Sequence, residues 1–476
     1  MDVLLGAAAV AAYGAIAGYL VLNGAPNVDE GFYGLTARAA VSGLVPYHDF
    51  GYTQMPLFPY VHGAVSRLVG FGPVEQRMAS GLWALLAVAV GTVFLWRRFG
   101  RAVGIGFAAL LVTTLNWVYF THLPKTYAFV GAVILVNIVI LEARADFRGR
   151  MFWTSLLGVV AVGSRLPVAP FYAVVWLGLL SRDFSAANLL RALGWPAVFT
   201  LGLLAPFAAA APRPFLFWAL DFHWQSAALK YWRLDLPALF YFAPAVCLAA
   251  LALGIAILSG RVRLARTRDV VLLGILVALA CNVLPVGAYE EYATPLLPGL
   301  ALVLCATLGD LGIGARVVGA FYLVLCLVNL CGIPPIDPTY YADTRKASLY
   351  VRQFQRGAFP FVGSASVVAL EAGRPVDPRM LMGSFCCTED YPESQANLLR
   401  LMTPAGIAAH MEDPRCEVFV LYNRANWNFV WSMPRFQPIS ASAVSRWKAI
   451  LSRDFRLEYG DAHYAVYVRR GVYEGK

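Results

Sequence analysis

Residues 27–60 read NVDEGFYGLTARAAVSGLVPYHDFGYTQMPLFPY, a polar, acidic and aromatic stretch held between two long apolar runs. The run before it, Val3–Leu22, is long enough at about 1.5 Å per residue to cross a hydrocarbon core of roughly 30 Å. It lacks the basic leader and the A-x-A-like site of a cleaved signal, so the sequence predicts a retained spanning helix. The next apolar run begins near Met78. A segment this rich in carboxylates, hydroxyls and rings, placed at a membrane face, is where chemistry is expected.

Of the 476 residues, 59% are hydrophobic and 14% charged. With a mean hydropathy of +0.62, the chain is too apolar for a soluble globule of this size. Further apolar runs at 78–96, 102–118, 126–141, 151–163, 166–180, 190–210, 237–258, 270–287, 293–308 and 316–331 predict an all-α polytopic domain of about eleven transmembrane helices. The runs on either side of Arg165 are short, which fits half-helices or a re-entrant pair. The formal charge of +10 does not point to nucleic acid, because the arginines stand in small groups at the ends of runs. Arg97, Arg98 and Arg101, then Arg144, Arg148 and Arg150, then Arg261, Arg263, Arg266 and Arg268 share one side, which the positive-inside rule makes cytoplasmic. The N-terminus is then cytoplasmic, and parity sends the 23–75 loop, the 212–236 loop, the 288–292 turn and everything after Gly332 outward.

The expected division is therefore a membrane domain over 1–332, containing the 23–75 loop, and an extracytoplasmic α/β domain over 333–476. In the latter, helices are expected near 344–355, 393–402 and 441–451, and strands at 418–422, 455–459 and 464–468. Cys247, Cys281, Cys305, Cys326 and Cys331 read as apolar membrane residues, while an oxidising compartment would permit Cys386 or Cys387 to pair with Cys416. No CxxC pair or His/Cys spacing suggests zinc, and the absence of a phosphate-binding glycine loop and of a Walker motif argues against an ATP-driven pump.

In the first loop, DEGFYGLTARAAVSG has the character of a short helix lying in the interface, with Asp29 as its cap and Glu30 favoured by the helix dipole. After it come Pro46, Tyr47, His48, Asp49, Phe50, Tyr52, Thr53, Gln54 and Pro56, a dense set of proton-transfer, hydrogen-bonding and stacking groups. A carboxylate at a low-dielectric boundary can accept a proton from a hydroxyl nucleophile. The tyrosines suit either a sugar face or an interfacial belt.

The ordered set Asp29-Glu30-x-x-Tyr33-x-x-x-Ala37-Arg38, Gly43, Pro46-Tyr47-His48-Asp49 and Tyr52-x-Gln54-x-Pro56-Leu57 resembles the first periplasmic loop of GT-C glycosyltransferases. Among these, the pattern is nearest to the protein O-mannosyltransferase-like and lipid A aminoarabinose transferase branches. Glu291-Tyr292-x-x-Pro295-Leu296-Leu297-Pro298 is similar to the start of a late membrane helix in the same enzymes. The resemblance spans Val3–Cys331. It implies an inverting glycosyltransferase of the bacterial inner membrane, passing a sugar from a polyprenyl-phosphate donor to an extracytoplasmic glycan, lipid or protein.

The resemblance implies that Asp29 acts as general base or positions the acceptor, that Glu30 beside it pairs with a basic group or orients the loop, and that Tyr33, Tyr47, His48, Asp49, Tyr52, Gln54, Glu290 and Tyr292 surround the substrate. No particular cofactor is called for, and a divalent metal stays an open alternative. A divalent metal is not favoured, since THLPKTY at 121–127 stands where such enzymes often carry a second acidic residue. The leaving group is an anionic lipid phosphate, so cations at the outer membrane face should meet it. Arg165 is the first choice, being costly in hydrocarbon unless it faces an anion or a cavity. Lys125, Lys230 and His122 follow; snorkelling to the interface is the alternative for Arg165, Lys125 and His122, and an interfacial amphipathic helix over 212–236 is the alternative for Lys230. A transporter or lipid flippase is the competing class, although no inverted repeat is visible and the polar groups gather on one side.

Overall fold

The structure, a computed structural model, describes residues 2–25, 27, 29–144, 146–223, 254, 267–283, 290–311, 336–356, 358–422 and 439–473. It is mostly helical, with one small sheet near the C-terminus. In chain order the elements are α1 (Asp2–Asn23), α2 (Glu30–Val41), α3 (Leu57–Val69), α4 (Pro73–Phe99), α5 (Arg101–Thr113), α6 (Leu115–His122), α7 (Thr126–Ala143), α8 (Phe147–Val162), α9 (Ala169–Arg182), α10 (Ala186–Leu203), α11 (Ala205–Ala210), α12 (Pro212–Leu216), α13 (Thr267–Val283), α14 (Leu297–Asp310), α15 (Tyr340–Phe354), α16 (Ser366–Glu371), α17 (Glu393–Leu398), α18 (Pro404–Glu412), β1 (Val418–Tyr422), α19 (Ala441–Asp454), β2 (Phe455–Gly460) and β3 (Tyr464–Arg469). Among the described residues, three helices are long and apolar enough to cross a membrane: Pro73–Phe99, Thr126–Ala143 and Glu291–Asp310. α5 and the helix after it form one further apolar pair, bent by 69°. Apart from residue 254, the runs expected at 237–258 and 316–331 lie outside the described residues, as do Lys230, Tyr289 and Cys247, Cys326 and Cys331.

The chain forms two compact units, one of Met1–Gly24, Arg77–Ala205 and Lys230–Pro335, the other of Ala25–Gln76, Pro206–Leu229 and Ile336–Lys476. In the first, α7 is buried along most of its length. The oxygen of its one mid-helix amide, Asn137, accepts a hydrogen bond of 3.2 Å from Thr154 of α8, which links the two helices. An 18-residue helix is about 27 Å long, and its two ends differ. At the C-terminal end Arg268 joins Glu142, at 3.1 Å, to Asp310, at 2.6 Å. The N-terminal end holds the candidate site described below.

In the second unit the first loop packs with the C-terminal third of the chain. Although expected to lie in a membrane interface, α2 is buried at all but two of its positions, Arg38 and Val41. The cause is its contact with α16: a side chain at Gly31 would collide with Ser366 and Val367, and one at Gly34 with Leu370. Small residues there let the two helix backbones approach closely. Arg38 Nη2 donates to the Arg374 carbonyl at 2.6 Å, and the Phe32 and Phe385 rings meet edge to face at 5.6 Å.

The sheet runs β1-β3-β2 and is antiparallel throughout, pairing Val418 with Val468 and Tyr422 with Tyr464, with a register shift between Leu457 and Tyr459. Its inner face packs on α15 and α16 through Tyr340, Val351, Val367, Val420 and Val466. The expected helices and strands of this region are α15, α17, α19 and the three strands. α17 stops short at Leu398, because Arg400 adopts a left-handed φ of 62° that turns the chain. Cys386, Cys387 and Cys416 are buried free thiols, so no bridge to Cys416 is formed. Burial pushes the thiols of Cys386 and Cys416 up to about 12, which keeps them protonated and unreactive.

Candidate functional site

Three breaks in the helices of the first unit bring opposite charges together. Pro124 keeps the chain out of helix, so α7 starts only at Thr126 and Lys125 is extended before it (φ −105°, ψ 170°). Arg165 is likewise extended (φ −153°, ψ 102°), between the end of α8 and the tight Leu166–Val168 turn that carries Pro167. Glu291 and Tyr292 lie in the tight turn Glu290–Leu296 that leads into α14.

Lys125 Nζ donates to both carboxylate oxygens of Glu291, at 3.0 and 2.9 Å, and the Tyr127 hydroxyl donates to Oε1 at 2.6 Å. The Arg165 guanidinium lies 4.4 Å from the centre of the Tyr127 ring and 5.1 Å from that of Tyr292, with Nη1 3.4 Å from Thr126 Oγ1. Lys125 and Arg165 are each only 3% exposed. Burying a cation at an apolar depth is costly, and here a carboxylate and two aromatic faces offset that cost. A buried group of two cations, one carboxylate and phenol rings can receive an anion with several oxygens, the planar guanidinium offering paired donors.

His122, at the end of α6, stands elsewhere in the same unit. Its ring meets Tyr119 edge to face at 5.3 Å, and with Arg77 it lies against the backbone of Gly24. Arg77 in turn donates to the carbonyls of Leu20 and Gly24 at 3.1 and 3.0 Å, so this pair closes the end of α1.

The first-loop residues belong to the second unit. Asp29 occupies the N-cap position of α2 without a capping hydrogen bond from its side chain; it is the chain's turn, not its carboxylate, that starts the helix. Glu30 is 1% exposed and accepts the Asn27 N–H at 2.8 Å. It lies within electrostatic reach of Tyr340, Tyr422 and Tyr464, whose hydroxyls are pushed well above their ordinary range by burial first and by the Glu30 charge in addition. Tyr33 is buried edge to face with Tyr52 and Phe58. Tyr47 is fully buried, at a φ of 69°, and its hydroxyl donates to the Gln54 carbonyl at 2.5 Å. His48 and Asp49 form a surface pair at 2.9 Å, and Asp49 also accepts the Val45 N–H at 2.7 Å. Tyr33, Tyr47 and Tyr52 are therefore core residues, and the tight turn at 46–50 accounts for Asp49.

No protein-family model and no curated protein matches the sequence. Solved structures do. ArnT from Cupriavidus metallidurans bound to undecaprenyl phosphate aligns with a TM-score of 0.64 at 14% identity, over 98% of this chain and 97% of that one. The same protein in the apo state gives 0.62 at 13% identity, over 96% of both chains. The chain has the GT-C fold of ArnT. AftD from Mycobacteria aligns more loosely, with a TM-score of 0.49 at 12% identity, over 98% of this chain and 41% of that one.

Within this GT-C fold, the candidate residues Lys125, Arg165 and Tyr292 stand in one cluster, apart from His122. Glu291, Tyr127 and Thr126 were not among the expected site residues. The signal was the doublet at 290–291: sequence reading favoured Glu290, whereas it is Glu291 that meets Lys125. Only the backbone of Glu290 is described.

Proposed function

We propose that this chain is a membrane glycosyltransferase taking its sugar from a polyprenyl-phosphate donor. The observation that carries the reading is the buried Lys125–Glu291–Tyr127–Arg165–Tyr292 cluster. A phosphate monoester headgroup is the anion that such a cluster suits, and the ArnT structure sharing this fold was solved with undecaprenyl phosphate. In this reading the N-terminus is cytoplasmic, and the 23–75 loop and everything after Gly332 lie on the outer side.

In the reaction, the acceptor hydroxyl attacks the anomeric carbon of the sugar and its proton passes to Asp29. The bond from that carbon to the phosphate oxygen breaks with inversion, and the polyprenyl phosphate leaves with the electron pair. Arg165 and Lys125 stabilise the charge gathering on the leaving oxygen. Glu291 holds Lys125 in place, and Tyr127 and Tyr292 hold the Arg165 guanidinium between their faces. The acceptor is a glycan, lipid or protein reached from the outer side.

The test is sugar transfer from a radiolabelled polyprenyl-phosphate donor in membranes carrying Arg165→Ala or Arg165→Lys. Removal of one preorganised donor to a developing anion costs about 100- to 1,000-fold in turnover. Lysine, without a planar fork between two rings, should recover only a small part of that. Wild-type transfer by Arg165→Ala at equal protein amount would refute the role of the cluster, and absence of transfer by membranes carrying the wild-type chain would refute the activity.

A further inference from the structure

A second cluster of chemically active side chains lies in the C-terminal third. Asp337 and Asp343 flank the start of α15, while Asp461 and His463 belong to the turn between β2 and β3. His463 Nδ1 is 2.9 Å from Asp343 Oδ2, and Nε2 is 2.7 Å from Asp337 Oδ2. Asp461 Oδ1 accepts the backbone N–H groups of His463 and Tyr464, each at 2.7 Å, and its other oxygen accepts the Tyr459 hydroxyl. One donor atom from each of Asp343, Asp461 and His463 lies within 4.8 Å of the other two. The side chains of Asp343 and His463 are only 12% and 15% exposed.

We propose that Asp343, Asp461 and His463 are the protein ligands of a divalent transition-metal ion that fastens the start of α15 to the β2–β3 turn. The donor set fixes the class of ion. An imidazole nitrogen with two carboxylates suits zinc and its first-row neighbours, whereas magnesium and calcium prefer oxygen alone. Asp337 stands on the far nitrogen of the imidazole. A carboxylate in that place orients a metal-bound histidine and fixes its tautomer, leaving Nδ1 turned toward the other two ligands.

Charge favours a cation as well. Three carboxylates converge on one imidazole, and the nearest lysine, Lys346, is 3.8 Å from Asp343 and 60% exposed, where water screens it. The ion replaces the proton on Nδ1, which passes to solvent, and water completes the coordination. The role is structural: it ties together segments 120 positions apart in the sequence, and none of the proposed transfer chemistry passes through it.

The experiment uses the untagged full chain in detergent, stripped with a chelator, then titrated with zinc and, as control, magnesium. Elemental analysis should find stoichiometric zinc on the wild type, with a melting temperature that rises to a plateau as zinc is added and does not respond to magnesium. His463→Gln should lose the zinc, and Asp337→Asn should bind it about 10- to 100-fold more weakly. Wild-type protein that takes up no zinc overturns the proposal, and so does undiminished binding by His463→Gln. Where His463→Gln does not fold, Asp337→Asn decides, since unchanged affinity there is equally fatal.

Discussion

Glu30 and Glu291 are both acidic residues withdrawn from solvent at the start of a helical segment, yet their neighbours give them opposite characters. Glu30 accepts the Asn27 N–H and lies within electrostatic reach of Tyr340, Tyr422 and Tyr464 in the core of the second unit. Glu291 is clamped by an ammonium and a phenol in the first. Burial alone does not make a carboxylate part of a reaction. What decides is whether its partners are charges that a substrate could share.

The sharpest way to break this comparison is Asp29→Asn beside Glu30→Gln, assayed for sugar transfer per amount of protein in membranes. Loss of a general base costs about 100- to 10,000-fold, so Asp29→Asn should fall by that much, whereas Glu30→Gln should lower protein yield more than turnover. Equal losses of turnover would show that the buried carboxylate shares the work. Next in size is Glu291→Gln, which leaves Lys125 buried without its carboxylate and should destabilise the first unit by about 3–5 kcal/mol. Thermal unfolding in detergent reads this directly. Adding Lys125→Met should restore much of the loss, and a purely additive double variant would mean that the two residues do not act as a pair.

The smallest expected effect is on acidification of the second unit. Burial holds both His62 and His410 at about 4, below the ordinary 6.5. Both are neutral when folded, and the unfolded chain takes up protons first as pH falls. Their contribution is complete above about 6.5 and is lost progressively toward 4. Melting of the wild type at pH 7 and pH 5 should show a decline that shrinks in His410→Gln; an unchanged decline in that variant would remove His410 as a cause.

Much of the fold could be read from local pattern. Strands at 418–422, 455–459 and 464–468 announce themselves by β-branched and aromatic residues between turn formers, and the helix from Glu30 by its small and apolar residues. What could not be read was company. Tyr47 and Tyr52 look the same in sequence whether they line a substrate cleft or fill a core, and packing alone decides: Tyr47 meets Phe215 edge to face at 5.1 Å, and Tyr52 meets Tyr33 at 6.4 Å. Arg165 stood out because a lone cation in an apolar run needs a reason. Glu291 stood out only as part of a motif, since its pairing depends on Lys125, which is 166 positions earlier. His463 and Asp337 were invisible as a pair for the same reason.

The contact of α2 with α16 sets an order on biosynthesis. Arg38 and its carbonyl partner Arg374 are 336 positions apart, and ribosomes add about 5–20 residues per second. The loop that carries Asp29 therefore waits for tens of seconds, already made but without the surface that buries it, until the last third of the chain emerges. Truncation anywhere before that third should leave the loop exposed to proteases, however well the preceding helices have inserted.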